Sequence, residues 1–201
     1  MEPLGIVLVG IYYAGKTTTA DYLGEICDFD VLDLDELYTR EFRESIWDTR
    51  ERETSLANRR RDVIGREIIE RMNLSPSVAV LGGGSFMLDH TDVIILVKKS
   101  HLVVYLNPTI EALTSRVLAH PESDVRHIFA HRKAKTIRSR FDAYYRQRGP
   151  RYLEWADAFV QPERDWSIDR VASVVLSEFV REQRNRYQSS RRVAAATQST
   201  A

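Results

Sequence analysis

Residues 10–17 read Gly-Ile-Tyr-Tyr-Ala-Gly-Lys-Thr, which matches the pattern of a phosphate-binding loop. An apolar run precedes the octet and a helix-compatible run follows it, so we predict a turn between a strand and a helix N-terminus. Such a turn directs backbone N–H groups at an anion, and Gly10 and Gly15 allow close approach. Lys16 would reach the β- and γ-phosphates, and the Thr17 hydroxyl would bind Mg²⁺. The remaining predicted nucleotide-binding residues are Tyr12, Tyr13, Ala14 and Thr18. The octet therefore predicts binding of a nucleoside triphosphate.

Two aspartates, Asp33 and Asp35, lie at the end of the second predicted strand. Because side chains alternate along a strand, both carboxylates would lie on the same side. At the carboxyl end of a parallel strand they would face the crevice in which α/β sheets bind ligands. One carboxylate would hold the magnesium shell, and the other would accept a proton from an attacking hydroxyl. The alternative is a pair of solvated aspartates that cap the next helix, and the neighbouring phosphate-binding loop favours the catalytic interpretation.

Glycines and basic residues mark two further candidate regions. The triplet from Gly82 to Gly84 follows the third predicted strand and would let the chain pass close to a ligand. Basic residues are frequent from Arg126 to Arg148, and the stretch just before them has the composition of a loop. Phosphoryl transfer needs cations over the transferred group, and closing loops commonly supply them. We therefore predict a lid over about residues 118–135, although a solvated helical face would also explain most of these charges.

Short apolar runs alternate with longer mixed segments along the chain. The predicted strands are Leu4–Val9, Val31–Leu34, Val78–Leu81, Leu102–Leu106 and Phe159–Val160. The predicted helices are Thr17–Cys27, Glu36–Trp47, Ser55–Met72, Thr109–Leu118, Ile137–Gln147 and Ile168–Arg184. This alternation predicts βαβ units and a doubly wound, mainly parallel sheet of the α/β class.

Composition limits the domain organisation and the range of partners. The 201 residues suit one domain, which we place at residues 1–184, while the polar stretch 185–201 is typical of a disordered tail. The 29 Lys and Arg residues balance 29 Asp and Glu residues, so the net charge gives no sign of a nucleic-acid or anionic-membrane partner. Cys27 is the only cysteine, which excludes an internal disulfide.

The sequence has neither an apolar run of membrane-spanning length nor an N-terminal secretion signal. We expect a cytoplasmic enzyme with a small-molecule substrate. We also expect a monomer or weak homodimer that binds neither nucleic acid nor membrane.

Together, the motifs resemble those of shikimate kinases over roughly residues 4–160. They occur in the order seen in that family: Gly10–Thr17, Asp33-x-Asp35, Arg59-x-x-Asp62, Gly82-Gly83-Gly84, Val103-Val104-Tyr105-Leu106, Arg126, Arg148-Gly-Pro-Arg-Tyr152 and Tyr152-Leu-Glu-Trp-Ala-Asp157. The resemblance implies a P-loop kinase fold like that of nucleoside monophosphate kinases, with a five-stranded parallel sheet and a lid. It also implies MgATP-dependent phosphorylation of a ring hydroxyl on a small carboxylated cyclohexene.

The resemblance implies roles for individual residues. Lys16, Asp35 and Arg126 would be catalytic, with Asp35 orienting or deprotonating the acceptor hydroxyl and Arg126 contacting ATP from the lid. Thr17 and Asp33 would hold the magnesium ion, Asp33 in its outer shell. The substrate would be bound by Asp35, Arg59, Gly83, Gly84 and Arg148. The two arginines in this set would pair with the substrate carboxylate, since a guanidinium matches its two oxygens.

Several positions depart from the family pattern. Tyr13 stands where a glycine is usual, and Tyr12 stands where a small or apolar residue is usual. The segment before Arg59 is also replaced, so its place rests on the spacing to Asp62, with Arg60 as the rival. The nucleotide half keeps the pattern, whereas the substrate half is altered. We predict shikimate or a close analogue as the acceptor. The alternatives are a kinase for another cyclitol, sugar acid or amino acid, and a nucleotide-binding regulator without transfer activity.

Overall fold

The computed structural model describes residues 5–81, 90–120 and 133–198, and five strands in these ranges form one sheet. They are β1 Gly5–Val9, β2 Asp30–Asp33, β3 Ser77–Val80, β4 His101–Leu106 and β5 Ala158–Val160. Their order is β2-β3-β1-β4-β5, and every neighbouring pair is parallel. The predicted α/β class with a five-stranded parallel sheet is therefore confirmed.

Eight helices are described around this sheet. They are α1 Lys16–Cys27, α2 Leu34–Phe42, α3 Ile46–Arg52, α4 Thr54–Met72, α5 Thr91–Ser100, α6 Ile110–Ala119, α7 Ala134–Trp155 and α8 Ile168–Gln198. No helix in the described ranges is long and apolar enough to cross a lipid bilayer.

Alternation along β1 divides the core into two layers. Ile6 and Leu8 face one side of the sheet and pack with buried residues of α1 and α8. Val7 and Val9 face the other side and pack with the remaining helices. All four side chains are buried, as expected for a central strand of a parallel sheet with helices on both faces.

The strand order places the functional motifs at one edge of the sheet. Leu8 pairs with Val80 on one side and with Val104 on the other, so β1 lies where the chain order reverses. Asp33 also pairs with Val80, which brings the end of β2 level with the end of β1. A crevice at the carboxyl ends of the strands, beside such a reversal, is the usual ligand position in this class of sheet.

Two helix predictions need correction, and one helix was missed. The predicted helix Glu36–Trp47 is two helices, because the chain turns at Arg43 with φ 55° and restarts with Ser45 as the N-cap of α3. Helix α5 was not predicted. Helix α7 was predicted to end at Gln147 but continues through Pro150 to Trp155.

The C-terminal prediction also differs from the structure. Residues 185–198, predicted to be disordered, continue helix α8. Arg186 explains part of this order, because its guanidinium donates hydrogen bonds to the carbonyls of Lys98 (3.2 Å) and Lys99 (2.9 Å) at the end of α5. It also pairs with Glu182 one turn earlier. A cation on the final carbonyls of a helix satisfies acceptors that the helix itself leaves open.

Candidate active site

The phosphate-binding loop connects β1 to α1. Gly10 has φ 151°, and a Cβ there would lie 2.5 Å from the Leu106 carbonyl oxygen, so a side chain would clash with the end of β4. Gly15 is the N-cap of α1 with φ 92°. The backbone N–H of Ala14 donates to the Ile11 carbonyl at 3.3 Å and closes the turn. The loop therefore presents the N-terminus of α1 as an anion site.

Tyr13 occupies a backbone conformation that usually belongs to glycine. Its φ is 61°, in the left-handed region, which costs a side-chain-bearing residue about 1–2 kcal/mol. Arg116 of α6 donates a hydrogen bond from Nη1 to the Tyr13 carbonyl at 2.9 Å. The rings of Tyr13 and His120 meet edge to face at 5.5 Å. The end of α6 therefore holds the strained residue in place.

Lys16 is held by the loop itself, and next to it Thr17 and Asp33 bond to each other. Lys16 is only 8% exposed, and its Nζ donates to the Ile11 carbonyl at 2.9 Å. Thr17 Oγ1 donates to Asp33 Oδ2 at 2.7 Å. The other oxygen of Asp33 accepts the backbone N–H of Asp35 at 2.9 Å and caps α2. Asp33 thus caps a helix, as the alternative interpretation expected, but it is buried and not solvated, and its contact with the metal stays a prediction. Asp35 lies in the first turn of α2, so strand alternation does not set the direction of its side chain.

The oxygen donors of this group fit a magnesium ion. Asp33 is 4% exposed, and burial raises its pKa, although the hydrogen bonds from Thr17 and from the α2 backbone oppose the rise. A carboxylate taken out of water is stabilised by a nearby cation. Mg²⁺ is usually held by one or two protein oxygens together with phosphates, and Thr17 and Asp33 supply such oxygens.

A cavity of about 420 Å³ joins the loop to the aspartates. Its walls include the loop residues from Tyr12 to Thr19, and also Asp33 and Asp35. Arg116 and Trp166 line it as well, and neither was predicted from the sequence. Trp166 lies beside α8, with the guanidinium carbon of Arg170 4.3 Å from its ring centre. A loop that can bind phosphate and an indole that can contact a base, both in the wall of one cavity, suit a nucleotide.

Arg148 contacts two rings of a cluster of three aromatic side chains, Tyr12, Trp47 and Tyr144, which we call the aromatic wall. The guanidinium carbon of Arg148 lies 5.5 Å from the ring centre of Tyr12 and 5.4 Å from that of Tyr144. The ring of Tyr12 meets the rings of Trp47 and Tyr144 edge to face, each at 5.4 Å. Tyr12 also lines the cavity, so the wall connects Arg148 to the phosphate-binding loop.

The structure does not bring Arg59 into this cavity. Its side chain is 67% exposed and pairs with Glu53 at 3.3 Å. The rival, Arg60, pairs with Glu44 at 3.5 Å. The buried face of α4 carries Arg61, which is 3% exposed and pairs with Asp62 at 2.8 Å. Spacing to Asp62 therefore did not identify which arginine of α4 faces inward, because it ignores the direction in which the helix turns each side chain.

The remaining predicted residues, Gly83, Gly84 and Arg126, lie outside the described residues. So does most of the predicted lid, since residues 121–132 are not described.

Known proteins provide an independent test of these interpretations. The sequence matches the shikimate kinase family over residues 13–181. This chain belongs to the shikimate kinase family. It is 28% identical over 181 residues to a shikimate kinase of Prochlorococcus marinus, covering 89% of this chain and 90% of that relative. Membership makes the protein an ATP-dependent kinase that acts on an alcohol group.

Two solved structures share its fold. A shikimate kinase from Bacteroides thetaiotaomicron superposes with a TM-score of 0.73 at 20% identity, covering 87% of this chain and 97% of that one. A shikimate kinase from Acinetobacter baumannii in complex with shikimate gives a TM-score of 0.71 at 23% identity, covering 89% and 93%. The predicted P-loop kinase fold is thus confirmed for this family member.

Proposed function

We propose that this kinase transfers the γ-phosphoryl group of MgATP to a ring hydroxyl of shikimate or a close carboxylated analogue. The observation that supports this most directly is the convergence of Lys16, Thr17, Asp33 and Asp35 on one cavity at the N-terminus of α1. A protein that only binds nucleotide has no need of a second carboxylate beside the phosphate site.

Each residue of the site has a separate role in the proposed reaction. Bound MgATP supplies the phosphoryl group and the cation that offsets its charge. The loop N–H groups and Lys16 bind phosphate oxygens, while Thr17 and Asp33 provide oxygens for the metal. Asp35, at the start of α2, orients the acceptor hydroxyl and accepts its proton on a carboxylate oxygen.

The acceptor side of the proposal depends on Arg148. Its guanidinium fork would bind the substrate carboxylate by two charge-assisted hydrogen bonds. The family relative from Acinetobacter baumannii, solved in complex with shikimate, supports an acid of this type. Gly83 and Gly84 against the substrate ring, and Arg126 over the transferred phosphoryl, remain predictions from the sequence.

A different ring acid is the second candidate for the acceptor. Tyr12 brings an aromatic ring against Arg148, and Arg59 faces solvent beside Glu53. Both features alter the acceptor half of the site, whereas the phosphate half keeps the family pattern. A related hydroxylated acid of different shape would fit these changes.

Release of ADP in a coupled assay tests the proposal. Shikimate, quinate, gluconate and myo-inositol would be compared as acceptors at saturating MgATP, with Lys16→Ala as the inactive control. We expect shikimate or quinate, the two ring acids, to give the highest kcat/KM and the uncharged myo-inositol to give no turnover. The highest kcat/KM with myo-inositol would contradict an acceptor that is bound through its carboxylate. No turnover with any acceptor would favour the alternative, a nucleotide-binding regulator without transfer activity.

A further inference from the structure

Arg50 belongs to none of the motifs found in the sequence. It lies on α3 three residues after Trp47, a spacing that places both side chains on the same side of a helix. Its guanidinium carbon lies 5.4 Å from the Trp47 ring centre. All three rings of the aromatic wall thus contact a guanidinium, Trp47 that of Arg50, and Tyr12 and Tyr144 that of Arg148.

Arg50 differs from its neighbours in charge pairing. Five arginines lie between positions 50 and 61, and Arg50 differs from the other four in having no carboxylate of the described residues within ion-pair distance. The others are paired: Arg52 with Glu44, Arg59 with Glu53, Arg60 with Glu44 and Arg61 with Asp62.

The polar atoms of Arg50 are also incompletely used. Its Nε is buried and has no hydrogen-bond partner in the described part of the chain. Leaving a buried N–H donor of a charged group without a hydrogen bond costs free energy, so its presence calls for a physical explanation. An anion bound during the reaction supplies one.

We propose that Arg50, in place of Arg59, is the second arginine that binds the anionic group of the acceptor, together with Arg148. The inference rests on the proposed function, because it assigns the acid-binding residues of that same site. The two guanidinium groups lie on rings that contact each other, Trp47 and Tyr12, and a carboxylate can accept hydrogen bonds from two such groups because it has two oxygens. The exposed Arg59–Glu53 pair then lies outside the substrate site.

The test compares Arg50→Gln and Arg50→Lys with Arg52→Gln and Arg59→Gln. Arg52 is the matched control, because it lies on the same helix, is largely exposed and pairs with Glu44. We expect Arg50→Gln to raise KM for the ring acid about ten- to a hundredfold, with KM for ATP nearly unchanged. Arg50→Lys should recover part of the loss, because it restores the charge without the fork. Arg52→Gln and Arg59→Gln should behave like the wild type.

A carboxylate methyl ester distinguishes an acid-binding role from a structural one. The wild-type protein should bind the methyl ester of shikimate more weakly than shikimate, and Arg50→Gln should show little further loss with the ester. A structural defect would weaken both ligands equally. Equal weakening, or a loss seen in Arg59→Gln but not in Arg50→Gln, would overturn the inference.

Calorimetric titration without nucleotide separates this inference from the proposed function. Shikimate, quinate and benzoate are the probes. If the wild type binds one acid but phosphorylates none, the transfer proposal fails, while loss of that binding in Arg50→Gln still supports the inference. If the wild type phosphorylates an acid and Arg50→Gln does so equally well, only the inference fails. If none of the three acids binds, the inference is overturned.

Discussion

Asp33 combines a structural role, the cap of α2, with a position beside the phosphate-binding loop. One of its oxygens caps α2 through the Asp35 N–H, and the other accepts the Thr17 hydroxyl. The helix cap stabilises the fold, but burial of the carboxylate opposes its ionisation and raises its pKa. A buried charge that is costly in the free protein is typical of a functional site.

Asp33→Asn should therefore make the nucleotide-free protein more stable while reducing magnesium-dependent turnover. In the wild type the raised pKa means that the folded state binds the Asp33 proton more tightly than the unfolded state does. The contribution of this group to the free energy of unfolding is therefore complete below the ordinary carboxyl pKa, and it is lost as the pH rises through the raised pKa. The urea midpoint of the variant should exceed that of the wild type most at about pH 8, and the difference should shrink as the pH falls towards about 4. Equal midpoints at pH 8 would contradict the expectation.

Asp35→Asn tests the proton acceptor. The amide keeps the size of the side chain but cannot take the proton of the acceptor hydroxyl, so kcat should fall by about 10²–10⁴-fold. ATP affinity, measured by calorimetry, should be nearly unchanged. Glu36→Gln, at the next and exposed position, is the matched control. Near wild-type turnover of Asp35→Asn would remove Asp35 from the catalytic role.

At the scale of elements, α6 supports the phosphate-binding loop from a distance in sequence. The hydrogen bond from Arg116 to the Tyr13 carbonyl joins residues 103 positions apart. The edge contact between His120 and Tyr13 comes from the same end of α6. A strained loop residue persists when its surroundings fix it in this way.

Arg116→Gln should loosen the loop and weaken ATP binding. A hydrogen bond from a charged group contributes about 1.5–3 kcal/mol, so KM for ATP should rise about ten- to a hundredfold. KM for the acceptor acid should change little, because Arg116 lines the nucleotide cavity. Initial rates at varied ATP and acceptor concentrations measure both. Arg66→Gln, at an exposed position of α4, serves as the control. An unchanged KM for ATP would show that the loop holds its shape without Arg116.

The elements that the sequence predicted well are those with a local signal. Apolar runs marked all five strands to within a few residues, because central parallel strands are buried on both faces. The break at Arg43 had no such signal, since arginine is not a typical residue for the left-handed region. Helix α5 was missed because no capping pattern precedes it, and its N-cap, His90, makes no side-chain cap.

The residues of the candidate site also differ in whether a local sequence signal marks them. The phosphate-binding loop and Asp33 are contiguous motifs, so they could be read from residue spacing. Arg116, Trp166 and the aromatic wall could not, because each comes from an element far along the chain and meets the loop only through tertiary packing. Arg59 was placed by spacing alone, and the direction of a side chain on α4 depends on packing that spacing does not contain.

At the scale of the whole molecule, a buried histidine links stability to pH. His101 begins β4, with Nε2 3.0 Å from the Met72 carbonyl and Nδ1 2.9 Å from the Ser100 hydroxyl. Burial lowers its pKa, and the charge of Arg186 adds to this, although contacts with backbone carbonyls oppose it. The folded protein therefore favours the neutral imidazole.

The free energy of unfolding should fall as pH decreases below about 6.5, the ordinary value for histidine. Because the folded pKa is depressed, the unfolded state takes up the proton first, and stability is lost until the folded pKa is reached. His101→Gln keeps a donor for the Met72 carbonyl and should flatten this dependence. Urea midpoints at pH 7.5, 6.5 and 5.5 measure it. An equal slope in both proteins would assign the effect to other groups.

The three tryptophans of the chain occupy three distinct environments. Trp166 lines the nucleotide cavity, Trp47 belongs to the aromatic wall, and Trp155 is buried in the core. Emission from an indole depends on the polarity and the charges around it. Variants that retain one tryptophan at a time would thus turn the protein into its own optical probe, in which Trp166 reports nucleotide arrival, Trp47 reports acceptor arrival and Trp155 serves as the internal reference.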